Sequence, residues 1–248
     1  MNQLNYLRAG SGQPLVLIHG FPLDHSLWEP LLPHLTGQFD VILPDLCGFG
    51  ASALPESGCR IDEMAASLGS LLLELDLPQV FLAGHSMGGY VALAFARQFP
   101  RMLLGLGLIS TQTLPDDAGK QAGRHKTAAE VEQQGSAALA EAMSSKLSAN
   151  PAHAGLLREV ILRQPVAGIA NGLKAMASRP DSSEVLAGLS CPVSILHGLA
   201  DALIPPDRAR EMKAALPSAT LTELSGVGHM PMLEAPAETA EALKSLKS

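Results

Sequence analysis

Beyond Phe99 the chain has no aromatic residue. Tyr6, Phe21, Trp28, Phe39, Phe49, Phe81, Tyr90, Phe95 and Phe99 are the full set in 248 residues. Everything from Pro100 onward must pack on aliphatic and thioether side chains, so the chain is built from compositionally different parts. Charge is also sparse, at 17% of residues with a net charge of −7. No basic run exists to neutralise phosphates, which excludes a nucleic-acid partner. The longest apolar stretches run to about eight residues, as at Met102–Ile109, whereas a membrane span needs roughly twenty. The N-terminus has neither a cationic start nor an apolar core, so no signal peptide is expected. Cys47, Cys59 and Cys191 are three widely separated cysteines. They form no disulfide framework and no metal-ligand spacing, which predicts a reducing, cytoplasmic setting. His-Glu-x-x-His and Cys-x-x-Cys are both missing, so no metal site is expected. Gly105-Leu106-Gly107 lacks the third glycine and following helix of a dinucleotide site. No cofactor is implied, and the partner expected is a small molecule.

What is present is 47% hydrophobic residues and a positive mean hydropathy. That composition suits a packed core rather than a disordered chain, and the length suits one large α/β domain. Apolar runs at Leu15–Ile18, Val41–Leu43, Val80–Ala83 and Leu103–Ile109 have strand length. Between two of them, Ile61, Met64, Ala65, Leu68, Leu71, Leu72 and Leu75 recur at helical spacing. Met87–Gln98 predicts a second helix, ending before Pro100. Alternating helices and run-like strands imply a mostly parallel, doubly wound sheet. From about Thr111 to Ser190 the strand signals stop and helical spacings take over, as at Leu139, Met143 and Leu147, then Leu156, Leu157, Val160 and Ile161. Strand and helix signals resume at Val193–Leu196, Asp207–Leu216, Leu221–Leu224 and Ala237–Leu246. The expected organisation is one domain, with core 1–110 and 191–248 and an inserted helical cap at 111–190.

Chemistry concentrates at Gly84-His85-Ser86-Met87-Gly88, a Gly-x-Ser-x-Gly pattern after an apolar strand and at the start of a helix. Glycines flank a serine on so tight a turn because only bare backbone can approach that closely. A serine hydroxyl needs a neighbouring base to become a nucleophile. Beyond residue 200 the one histidine is His229, in the loop after Leu221–Leu224. Its imidazole needs a carboxylate to fix the tautomer. Asp201, after Val193–Leu196, is the candidate, and Asp207 reads instead as a first-turn helix residue. All three follow strands, at the sheet edge where open α/β sheets carry their sites. His19-Gly20-Phe21-Pro22 follows an early strand, which nominates the backbone N–H groups of Phe21 and Met87 as oxyanion donors. His19, Gly20, Gly84, His85 and Gly88 read as supporting residues.

Together these motifs closely resemble the α/β-hydrolase superfamily, in particular its small cap-bearing carboxylesterases and enol-lactonases, over nearly the whole chain. Asp45-Leu46-Cys47-Gly48-Phe49-Gly50-Ala51-Ser52 is similar to that group's Asp-x-(Arg/Pro)-Gly-x-Gly-x-Ser loop, with Cys47 as the departure. His229-Met230-Pro231-Met232-Leu233-Glu234-Ala235-Pro236 matches the usual end of its last loop. The resemblance implies hydrolysis of a small ester, thioester or lactone by Ser86, His229 and Asp201. A C–C bond hydrolase or lyase, with a substrate carboxylate held by Arg124, Arg158, Arg163 or Arg179, is the alternative. A ligand receptor on the same scaffold is a third reading.

Overall fold

The apolar runs form strands because each is buried on both faces. The structure, a computed structural model, describes residues 3–247. Among the described residues, the strands β1 (Tyr6–Gly10), β2 (Gln13–Ile18), β3 (Phe39–Pro44), β4 (Val80–His85), β5 (Leu103–Ile109), β6 (Val193–Gly198) and β7 (Thr220–Leu224) make one sheet. Their order is β1-β3-β2-β4-β5-β6-β7, parallel throughout except for β1. Side chains alternate between the faces, as the strand period requires. Val16 and Ile18 enter one core layer, and Leu15 and Leu17 the other. The first layer is closed by α2 (Ile61–Glu74), α3 (Met87–Gln98) and α9 (Asp207–Ala215). The second is closed by Trp28, by Leu35 of the short α1 (Leu32–Leu35), and by α11 (Pro236–Lys244). In α2 the helical stripe is buried from Ile61 to Leu72. Its start is fixed by Glu63, whose carboxylate accepts the backbone N–H of Arg60 at 2.7 Å.

One strand had no counterpart in the sequence reading. Tyr-Leu-Arg-Ala-Gly at 6–10 carries no apolar run, because β1 is a half-exposed edge strand paired antiparallel with β3 alone. The chain leaves β2 for β3 on one side and later enters β4 on the other side of β2. Neighbouring loops therefore diverge at the carboxyl ends of β2 and β4, which opens a crevice there.

Between β5 and β6 runs a helical insert: α4 (Ala118–Gln134), α5 (Ala137–Leu147), α6 (Ala154–Leu162), α7 (Val166–Ala177) and α8 (Ser183–Ala187). Helix α4 packs along α7, and α5 packs along α6. Of the expected apolar stripe on α6, Leu157, Val160 and Ile161 are buried but Leu156 is 51% exposed. Leu156 lies on a surface groove with Leu23, Leu27 and Leu233, so its spacing belongs to the outer flank of the stripe.

The insert is tied to the core by polar groups. Gln164 accepts the N–H of Gly50 at 2.8 Å and donates to Asp24 at 2.7 Å. Arg163 donates twice to Asp24, at 2.8 and 2.7 Å. The Asn171 amide pairs with both backbone groups of Cys59, at 3.0 and 2.9 Å. Between these ties α7 rests on the 45–52 loop at bare backbone. A Cβ on Gly168 would lie 1.7 Å from the carbonyl oxygen of Gly48. Alanine in a helix is ordinarily more stable than glycine by about 1 kcal/mol, but here the methyl forces the insert off the core. Gly168→Ala is expected to lower the urea-unfolding free energy by about 1–3 kcal/mol. Gly123→Ala, at a helical glycine with open space around it, is expected to raise it by about 0.5–1 kcal/mol. Shifts of the same sign would show that the contact does not constrain the insert.

Candidate active site

Ser86 sits between β4 and α3 with φ 53° and ψ −114°. A side-chain-bearing residue rarely adopts that conformation, and it persists only where the surroundings enforce it. Those surroundings are visible. Ser86 N–H donates to Ile109 O at 2.9 Å, and Thr111 Oγ1 donates to Ser86 O at 2.8 Å. A Cβ on Gly84 would lie 2.2 Å from Gly88 O, and one on Gly88 would lie 2.4 Å from Ile18 O. The turn therefore closes on itself and seats against the end of β2 only because both positions lack side chains. Helix α3 begins at Met87, so the N–H groups of Met87 and Gly88 have no acceptor within the helix.

His229, after β7, donates its Nδ1–H to Asp201 Oδ2 at 2.7 Å, which leaves Nε2 as the basic nitrogen. Asp201, after β6, accepts the N–H groups of Leu203 and Ile204 on Oδ1, at 2.8 and 3.0 Å. Burial opposes its ionisation. The neighbouring His197 and the hydrogen bond from His229 outweigh that and hold the carboxyl well below the usual carboxylate range. Asp207 is exposed at the start of α9 and pairs with Arg210 at 2.9 Å, as its reading as a helix residue expects.

His85, the residue before Ser86, joins these loops. Its Nε2–H donates to His229 O at 2.8 Å, and the two rings lie 4.8 Å apart. Its bare Nδ1 faces Gly20, where a Cβ would approach within 2.4 Å. Burial, reinforced by the neighbouring His229, pushes the His85 pKa down to about 3. His19 accepts the N–H of Leu46 on Nε2 at 2.9 Å, so its Nδ1–H donates to Gly20 O, also at 2.9 Å. Burial lowers its pKa as well. Both histidines are buried and join backbone groups of different loops. Phe21 packs edge-on against Phe49 at 6.1 Å beneath Gly172 of α7, so the Phe21 loop lies under the insert. Gly88 resting on Ile18 and His19 places that loop beside the start of α3.

A sequence profile of the α/β hydrolase fold matches residues 13–236. The chain belongs to the α/β hydrolase fold family. A thermophilic esterase from Thermogutta terrifontis superimposes on this α/β hydrolase with a TM-score of 0.93 and 35% identity, covering 99% of this chain and 94% of that one. The enol-lactonase from Burkholderia xenovorans LB400 shares the fold, with a TM-score of 0.89 and 22% identity over 98% of this chain and 95% of that one. Lipase 1 of Psychrobacter immobilis is 26% identical over 96% of this chain and 78% of its own length.

Several residues of the hydrolase escaped the sequence reading. Thr111 holds the Ser86 carbonyl, and Asp24 and Gln164 fix the insert. His197 Nε2 donates to Ile204 O at 2.9 Å and lies 3.4 Å from Asp201. Only the i, i+4 spacing of His197 and Asp201 hinted at that contact. The four arginines considered as carboxylate anchors each have a carboxylate partner within the protein, and two of them share one. Arg124 and Arg179 pair with Asp116, Arg158 with Glu141, and Arg163 with Asp24. Cys47 is buried against Ser67, and its pairing with Cys59 lowers the pKa of the Cys47 thiol while raising that of Cys59. Among the described residues no cluster of three or more His, Cys, Asp or Glu is placed to hold a metal, and no helix is long and apolar enough to cross a membrane.

The buried histidines make acid stability testable. Folded His85 stays neutral down to about pH 3, whereas an unfolded histidine protonates near pH 6.5. Between those values the unfolded chain binds more protons, so stability falls as pH falls through that window. His85 alone is expected to cost about 2.5 kcal/mol between pH 7 and 4.5, and His19 acts in the same direction. Urea unfolding at both pH values should show a smaller loss in His85→Gln than in the parent. An equal loss would mean that folded His85 takes up the proton.

Proposed function

We propose that this α/β hydrolase cleaves small carboxylic esters, thioesters or lactones through an acyl-Ser86 intermediate. The observation that carries the reading is the 2.7 Å bond between His229 Nδ1 and Asp201 Oδ2. It fixes the tautomer that leaves Nε2 as a base, at the sheet edge where Ser86 sits half-buried on its turn. Ser86 Oγ attacks the carbonyl carbon while His229 Nε2 takes its proton. The oxyanion is held by the N–H groups of Phe21 and Met87. His229 then protonates the leaving oxygen or sulfur, and water, deprotonated by His229, releases the acid from Ser86. The buried, hydrogen-bonded Asp201 carboxylate stabilises the imidazolium without accepting the proton. The insert at 111–190 acts as a cap over the Phe21 loop.

Similarity to the Thermogutta esterase at 35% identity and to a Psychrobacter lipase at 26% supports ester hydrolysis. The C–C hydrolase reading loses its main support, because every arginine it would use already has a carboxylate partner. A receptor without turnover would leave Ser86 unlabelled by a fluorophosphonate.

Ser86→Ala is expected to lose at least about a thousandfold in kcat with aryl esters while remaining folded. Asp201→Asn should lose several orders of magnitude and Asp207→Asn almost nothing. The reverse order would reassign the acid. A fluorophosphonate adduct on any residue other than Ser86 would overturn the nucleophile.

The cap's buried side chains include Leu173 and Met176 and no ring. Flexible aliphatic walls discriminate weakly by shape, and each buried methylene contributes up to about 0.8 kcal/mol. kcat/KM should therefore rise modestly from acetate to butyrate or hexanoate esters, then fall for acyl chains of about ten carbons or more. A hundredfold loss per added carbon would reveal a polar anchor for one short acid.

A further inference from the structure

Glu234 lies in α10 (Pro231–Glu234), a single turn that folds the chain back on the loop it has just left. Its carboxylate faces that loop and accepts three backbone N–H groups. Oε2 accepts from Gly228 and from Ala149, each at 2.9 Å, and Oε1 accepts from Met230 at 3.1 Å. Gly228 and Met230 are the two residues flanking His229. Ala149 belongs to the insert, in the segment between α5 and α6. The loop is also pressed flat against β6, since a Cβ on Gly198 would lie 2.2 Å from Gly228 O. A Cβ on Gly228 would in turn lie 2.6 Å from Ala149 N. His229 is thus held by its ring through Asp201, by its carbonyl through His85, and by the amides on either side through Glu234.

We infer that Glu234 is a positioning residue, which sets the His229 imidazole relative to Ser86 and couples it to the seating of the insert. This rests on the proposed roles of Ser86 and His229. Carboxylate chemistry suits the task because both oxygens face donors. Hydrogen bonds from N–H to an ionised acceptor are about twice as strong as neutral ones. A glutamine in its place presents one oxygen, and its NH2 group must face a backbone N–H. An alanine leaves all three donors without this acceptor. Glu234 touches no reacting atom, so its loss should misalign the base without weakening the apolar contacts that bind substrate. A small displacement of a catalytic group is sufficient to lower the rate of the chemical step.

The full-length protein is assayed with p-nitrophenyl butyrate, with circular dichroism reporting the folded fraction. Glu234→Ala is expected to lower kcat at least tenfold with KM within twofold of the parent. Fluorophosphonate labelling of Ser86 should slow by a similar factor, and Glu234→Gln should recover part of both rates. A folded Glu234→Ala with less than a tenfold loss in kcat overturns the inference. So does a rise in KM at unchanged kcat, or a kcat loss that merely follows the folded fraction. If Glu234→Ala fails to fold, Glu234→Gln decides. At least a threefold kcat loss at unchanged KM and folded fraction supports the role, and a smaller loss overturns it. Ser86→Ala measured alongside separates the two claims. An inactive Ser86→Ala beside a fully active Glu234→Ala defeats the positioning role alone, whereas an active Ser86→Ala defeats the triad reading itself.

Discussion

The sheet edge depends on bare backbone meeting bare backbone. Gly88 lies against the carbonyls of Ile18 and His19, and Gly84 lies against the carbonyl of Gly88. With side chains at those positions the start of α3 would stand away from the end of β2. The loops carrying Phe21 and Met87 would then no longer be neighbours. The same closeness drives Ser86 to φ 53°, a conformation that costs about 1–3 kcal/mol. The bonds to Ile109 and from Thr111 hold it there. Strain at one residue is thus spread over β2, β5 and the first residues of the insert segment.

Buried imidazoles do most of the joining. His19, His85 and His197 each hold a backbone group that belongs to another loop or to the far end of their own. Burial favours the neutral form at His19 and His85, as a strut requires, since a neutral ring offers one donor and one acceptor. His229 differs from them in its partner. Its Nδ1 faces a carboxylate held ionised by surrounding donors, so a positive charge on the ring, as the proposed reaction requires, would be stabilised. One residue type thereby serves two purposes, separated by whether a carboxylate or a peptide group lies opposite the ring.

The parts of this fold readable from sequence are those governed by local pattern. Leu103–Ile109 and Met87–Gln98 appear with the boundaries their apolar runs and Pro100 suggest. Ser86 is legible from the Gly-x-Ser-x-Gly pattern, His229 as the one histidine beyond residue 200, and all three of Ser86, Asp201 and His229 from their places after strands, which are local features. What escaped depends on partners distant in sequence. β1 has no apolar run and exists because β3 has a free edge. Glu234 was visible as a motif letter, but its task requires Ala149, 85 positions earlier, to be beside it. The arginines Arg163 and Arg179 read as candidate anchors because Asp24 and Asp116, their partners, lie far away in sequence. Leu156 failed for a different reason. Helical spacing gives the direction of a stripe but not its width, and Leu156 falls just outside it.

How the insert is fastened bears on what it can recognise. It meets the core through Gln164 and Arg163 at Asp24, Asn171 at Cys59, Gly168 at Gly48, and Ala149 at Glu234. All but the glycine contact are hydrogen bonds, and the one between Gln164 and Asp24 is buried. Lifting the insert would break several of these contacts at once. The arginines that might have read a polar substrate already have carboxylate partners, Arg163 at this fastening and Arg124, Arg158 and Arg179 inside the insert itself. On the proposed function, recognition by the insert would fall to its aliphatic and thioether side chains, which favour burial of methylenes over any particular arrangement of polar atoms. The absence of aromatic residues after Phe99 and the pairing of its arginines therefore have one joint consequence. The position of the insert is specified tightly, while the shape of what lies beneath it is specified loosely.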